Sequence, residues 1–135
     1  MIPLWHFISS LILSLVLYPY FGFYSLLTLL LGWFIDVDHI IYYCFKFKRF
    51  NYKEAYKYFR DHKFHGKVIN VFHTLEFYAI MLILSFYNIY AFIISLGLFL
   101  HTILDIIYFF YLGRLDLRYW ALTGWIIDKF ISRKS

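Results

Sequence analysis

Within the stretch Gly32–Tyr43 (GWFIDVDHIIYY), three residues have the chemistry to hold a metal ion or move a proton: Asp36, Asp38 and His39. They interrupt an apolar run from Leu26 to Phe45 that contains no Lys or Arg. An ionised Asp at a bilayer centre costs roughly 2.5–3.5 kcal/mol, so such residues need a compensating partner. Other apolar stretches contribute His6, the pair His73 and Glu76, and the pair His101 and Asp105. Four acids therefore lie in apolar segments with no basic residue among them. Protons, protonated histidines or a bound cation remain as counter-charge. Mixed His and carboxylate donors favour a divalent metal, zinc first, with manganese or iron as alternatives. The candidates outnumber the four ligands of a tetrahedral ion, so one ion or two can be accommodated.

The elements that carry these residues follow from composition. The chain has 135 residues, of which 63% are hydrophobic, 26% aromatic and 16% charged. Soluble domains average about 45–50% apolar and about 25% charged, so the expectation is a single all-α integral membrane domain spanning residues 1–135. Four transmembrane helices are predicted, at 3–18, 23–45, 68–87 and 89–112. Pro3 opens the first, a tight turn at Tyr18–Gly22 ends it, and Tyr87-Asn88 separates the last two. Of the 13 Lys and Arg residues, eight fall in 46–67, five follow Gly113, and none lies in 1–45 or 68–113. By the positive-inside rule, both termini and the 46–67 loop are cytoplasmic. Within that loop, Asn51-x-x-Glu54 reads as a capping box. It opens a basic amphipathic helix over 51–62 that rests on an anionic membrane surface. Residues 115–131 read as a second interfacial segment anchored by Trp120 and Trp125. Cys44 is the only cysteine, so no internal disulfide forms.

A rise of ~1.5 Å per residue converts these positions into depths. His6 lies about 6 Å from the cytoplasmic end of its helix, His39 about 10 Å and Asp36 about 15 Å. His73 lies at about 9 Å, Glu76 at about 14 Å, Asp105 at about 12 Å and His101 at about 18 Å. All fall in the cytoplasmic half although the helices alternate in direction. Asp36 with His39, His73 with Glu76, and His101 with Asp105 are spaced i, i+3 or i, i+4, so each pair shares a helix face. Bundles build metal sites in this way. The expected ligands are Asp36, His39, His101 and Asp105, with His73, His6 and His65 as further candidates and His62 a weaker one. Glu76 is the candidate general base. Asp38 is offset from Asp36 on a continuous helix, and is expected to orient a ligand histidine, handle a proton or reach a second ion.

The ordered motifs resemble those of the small inner-membrane, metal-dependent hydrolases that include a LexA-regulated bacterial member. Asp36-Val37-Asp38-His39 is similar to that family's Asp-x-Asp-His cluster, and His101-Thr102-Ile103-Leu104-Asp105 to its late His-x-x-x-Asp. His6 stands for the early histidine. His73-Thr74 stands for the second half of the middle motif, with His65 or His62 for the first. Ile35 replaces the proline usual before the first Asp. The resemblance implies a four-helix membrane hydrolase, and a looser similarity to zinc-dependent phospholipase C and related single-strand nucleases implies phosphoester cleavage.

The function expected is metal-assisted hydrolysis of a lipid-borne or membrane-proximal phosphoester, with lipid or a lipid-linked molecule as substrate. A nucleic-acid partner is disfavoured, because the basic residues flank apolar spans and do not share a soluble surface. No phosphate-binding Gly-rich loop and no Gly-flanked Ser nucleophile occurs. Two alternatives remain: a proton- or metal-ion-handling transporter, and a non-catalytic membrane protein tied together by a structural metal.

Overall fold

The computed structural model describes residues 3–60 and 67–131, and these are mostly helical. Helix α1 (Pro3–Phe21) is followed by a 3-10 turn (Gly22–Ser25), then α2 (Leu26–Phe34) and α3 (Val37–Phe47). Helix α4 is Tyr52–Arg60, α5 is Leu75–Ser85, α6 is Ile89–Tyr111 and α7 is Leu122–Ile131. Two short strands, β1 (Val68–Ile69) and β2 (Arg118–Tyr119), pair in parallel, with Val68 opposite Arg118. Two stretches, Leu4–Phe47 and Ile89–Tyr111, are long and apolar enough to cross a membrane.

Small residues bring α1, α2 and α6 close together. A Cβ added at Gly97 of α6 would lie 2.5 Å from the Thr28 carbonyl oxygen and 2.9 Å from the Thr28 Cα of α2. One added at Gly32 would lie 2.5 Å from Ser10 Oγ of α1. Backbone-to-backbone approach of this kind requires Gly, Ser or Thr at the crossing. The exterior has the opposite character: Leu15, Phe23, Ile103 and Phe110 are all exposed. Among the described residues, nine of the ten largest fully buried side chains are polar, Ile93 being the exception. The interior is thus organised around hydrogen-bonding groups and not around a large apolar core.

Several boundaries differ from expectation, each for a local reason. Helix α1 runs on through Pro19 to Phe21, and the reversal falls at Gly22, whose φ of +56° suits glycine. The predicted second helix is broken at Ile35–Asp36, so α2 and α3 are separate elements. The third begins at Leu75 and not at 68, because Asn70 and Thr74 are extended and residues Val71–His73 form a single 3-10 turn. Thr74 Oγ1 then caps α5 by accepting from Phe77 N (3.4 Å). Asn88 caps α6, its Oδ1 accepting from Tyr90 N at 2.8 Å. Only half of the predicted capping box forms: Asn51 Oδ1 accepts from Glu54 N (3.2 Å), but the Glu54 carboxylate pairs with Arg49 and accepts from Tyr43 Oη (2.7 Å). The predicted segment 115–131 is a 3-10 turn, β2 and α7 in succession.

Candidate metal centre

Between α2 and α3 the ladder tightens to i→i−3 bonds, Asp38 N to the Ile35 oxygen and His39 N to the Asp36 oxygen. Asp36 and Asp38 both reach the histidines from this turn. Asp36 Oδ1 lies 3.4 Å from His101 Nε2 and 3.6 Å from His73 Nε2, while the two Nε2 atoms are 3.2 Å apart. Asp105 Oδ2 stands slightly further back, 3.8 Å from His73 Nε2 and 3.9 Å from His101 Nε2. Two ligands on a tetrahedral zinc with bonds near 2.0–2.1 Å sit about 3.3–3.4 Å apart. The Asp36, His73 and His101 donors therefore already have the spacing of three corners of such a site.

Ring tautomers sharpen the case. His101 Nδ1 donates to the Gly32 carbonyl oxygen at 2.7 Å, so its Nε2 carries the lone pair. His73 Nδ1 is 2.9 Å from Asp38 Oδ2, which likewise leaves the lone pair of a neutral ring on Nε2. Two lone pairs then face each other at 3.2 Å in a fully buried position. Such an approach is repulsive unless a cation, a metal ion or a proton, lies between them.

The surrounding residues hold these donors in place. Asp38 Oδ2 accepts from His73 Nδ1 and from Phe72 N (3.3 Å), which orients the His73 imidazole. Asp38 Oδ1 lies 2.9 Å from His39 Nδ1 without hydrogen-bond alignment, and neither atom has a hydrogen-bond partner. His39 Nε2 accepts from Asn70 Nδ2 at 3.0 Å. His39 with Asp38 and His73 forms one grouping that can hold a cation, but His73 offers that grouping Nδ1 and the other Nε2. His6 is fully buried and stacks on His101 with ring centroids 3.7 Å apart. Its Nε2 lies 3.2 Å from Asp105 Oδ1 without hydrogen-bond alignment, and neither of its ring nitrogens has a hydrogen-bond partner. A buried imidazole left in that state is a further sign that the cluster is built for a cation.

Three sequence expectations change. Glu76 does not join the cluster: its carboxylate accepts from Leu122 N (2.8 Å), Thr123 N (3.0 Å) and Thr123 Oγ1 (3.0 Å) and caps α7. Since α5 starts only at Leu75, Glu76 sits in its first turn and has no shared helix face with His73. The acids are also not without a basic partner. Arg118 of β2 is buried, and its Nη2 donates to Asp105 Oδ2 at 2.9 Å. Its guanidinium lies over the rings of Phe109 (4.5 Å) and Trp120 (5.1 Å). The sequence signal for Arg118 is faint, a basic residue next to Tyr119-Trp120. Only the β1–β2 pairing brings it back to α6. Third, the candidates form two groups and not one: His39 Nδ1 lies 3.3 Å from Asp36 Oδ1 and 2.9 Å from Asp38 Oδ1 and groups with Asp38 and His73, whereas His73 Nε2 stands with Asp36 and His101. His62 and His65 lie outside the described residues.

Comparison of the chain with models of known protein families, with curated proteins and with solved structures gives no match. The functional reading therefore rests on the chemistry of the cluster.

Proposed function

We infer that the protein is an integral membrane, metal-dependent hydrolase with a four-helix transmembrane bundle, acting on a lipid-borne phosphoester from the cytoplasmic side. The observation that carries this reading is the pair of facing Nε2 lone pairs of His73 and His101, 3.2 Å apart with Asp36 Oδ1 beside both. His73, His101 and Asp36 would hold the ion, with zinc favoured by the donor set and spacing. When bound, such an ion acidifies water and polarises the ester under attack. Three protein donors leave a position open. The opening lies toward Asp36, whose side chain is 28% exposed while those of His73 and His101 are fully buried. Asp38 fixes the tautomer of His73, the Gly32 carbonyl fixes that of His101, and the His6–Asp105 pair is placed to take up a proton. Arg118 holds Asp105 ionised next to it.

The apolar exterior and polar interior support the membrane reading, and the segregation of Lys and Arg supports cytoplasmic termini. The sequence resemblance to small inner-membrane hydrolases points the same way. The test is metal content by mass spectrometry on detergent-purified protein, wild type beside Asp36→Ala and His101→Ala. Stoichiometric zinc, manganese or iron in the wild type and its loss from both folded variants is the expected result. Turnover of phosphatidic acid or polyprenyl phosphate would follow. A folded, metal-free wild type would overturn the reading in favour of a proton shared between His73 and His101, the arrangement of a proton-handling transporter.

A further inference from the structure

An apolar groove of about 250 Å³ runs alongside the cluster. Leu31, Ile35 and Val37 of the α2–α3 region line it together with Phe72, Phe77 and Ile94. No lining side chain is polar. Its floor is buried, with Ile35 5% and Leu98 2% exposed, whereas Phe34 at the rim is 56% exposed. The groove therefore opens outward onto the apolar exterior of α2 and α3.

Its position relative to the cluster is set by chain connectivity. Ile35 and Val37 are the immediate neighbours of Asp36, and Phe72 immediately precedes His73. Leu98 lies one turn before His101 on α6. The turn that carries the Asp36 carboxylate to the cluster also carries its two neighbours, Ile35 and Val37, which line the groove. Asp36 is in addition the donor on the open side of the centre. Whatever occupies the groove consequently packs on apolar side chains and lies next to the backbone that carries Asp36 and His73.

We propose that this groove seats the hydrocarbon chain of the membrane lipid whose headgroup is presented to the Asp36–His73–His101 centre. The assignment of the headgroup end rests on the hydrolase reading, whereas that of the chain end rests on the groove alone. An all-apolar lining gives no hydrogen bond to a sugar, peptide or nucleotide. A hydrocarbon chain loses nothing on entering from a bilayer and gains packing against Ile35 and Leu98.

The experiment uses phosphatidic acid with a photoactivatable diazirine in its acyl chain, carried in phosphatidylcholine vesicles with the reconstituted full chain. The matching diacylglycerol probe lacks the phosphate. After irradiation, adducts are mapped by mass spectrometry. Adducts on residues 31–37 and 72–81 are expected to exceed those on the exposed outer face of α6 at Ile103, Ile106 and Ile107. Ile94→Trp, which fills the groove, should lower groove adducts to the level found on the outer face of α6, and metal content should be unchanged. If Ile94→Trp disturbs the fold, Met81→Phe narrows the same groove with a smaller change in volume. Adducts spread evenly over groove and outer face, or unaltered by a filled groove in a metal-replete variant, would overturn the proposal. Chelation should reduce labelling by the phosphatidic acid probe and not by diacylglycerol. Groove labelling by both probes that ignores chelation would leave the chain seat standing and remove the hydrolase reading's link to it.

Discussion

Gly97→Ala is a change of one methyl group that should damage a centre it does not touch. The added Cβ would meet the Thr28 carbonyl oxygen at 2.5 Å and the Thr28 Cα at 2.9 Å. Both are backbone atoms in mid-helix, so no side-chain rotation relieves the clash. Restoring ordinary contact near 3.4 Å requires α2 and α6 to separate by about 0.9 Å. The His101 Nδ1 bond to the Gly32 carbonyl oxygen spans the same crossing, and its 2.7 Å would become about 3.6 Å, beyond hydrogen-bond range. Overpacking of this kind costs about 1–3 kcal/mol. Loss of a group that orients a ligand histidine weakens metal binding about 10–100-fold. The assay is zinc affinity by competition with a chromophoric chelator, alongside thermal unfolding with and without zinc. Gly124→Ala is the control, since a Cβ there meets nothing within 4 Å. Gly32→Ala should fall between them, because its nearest obstacle is the Ser10 hydroxyl, which can rotate away. Wild-type zinc affinity and unfolding temperature in Gly97→Ala would refute the claim that close helix contact sets the geometry of the centre.

Arg118→Gln should destabilise the protein by about 3–5 kcal/mol in chemical unfolding, since it strands the buried Asp105 carboxylate without its charged partner. Wild-type stability would mean that the pair is not formed. Glu76→Gln should lower the unfolding temperature slightly through a weakened cap on α7 and leave metal content unchanged. Loss of metal in this variant would return Glu76 to the centre. Zinc retention in equilibrium dialysis should fall as the pH is lowered, because His73 and His101 must be deprotonated to bind and protons compete with the metal for both rings. Retention that stays constant down to the pH at which the protein unfolds would exclude histidine ligation.

The outline of the cluster is visible in the sequence because helical spacing and depth are local properties. A run such as His101 to Asp105 inside an unbroken apolar helix specifies one face and one depth, and α6 forms as Ile89–Tyr111, one residue short of the expected 89–112. Asn88 and Asn51 likewise announce helix starts through side-chain chemistry that acts within three residues. The break at Ile35–Asp36 has no such marker. Neither Gly nor Pro stands there, and the interruption is sustained by Asp36 and Asp38 reaching histidines of later segments. Spacing alone therefore misassigned His73 and Glu76 to a common face, when the extended Thr74 between them sends one inward and the other to α7.

Composition and the placement of charge by themselves determined a helical chain with apolar stretches, four of its eight acids inside those stretches, and its Lys and Arg confined to two others. Which donors meet was decided by tertiary structure alone. Arg118 reaches Asp105 from 13 residues away because β2 pairs with β1, and His101 is aligned by a carbonyl of Gly32, 69 residues distant. Periodicity records the direction a side chain takes from its own helix. The meeting of donors from different elements depends on how closely those elements approach, and here Gly97, Gly32 and a two-residue strand pair set that distance.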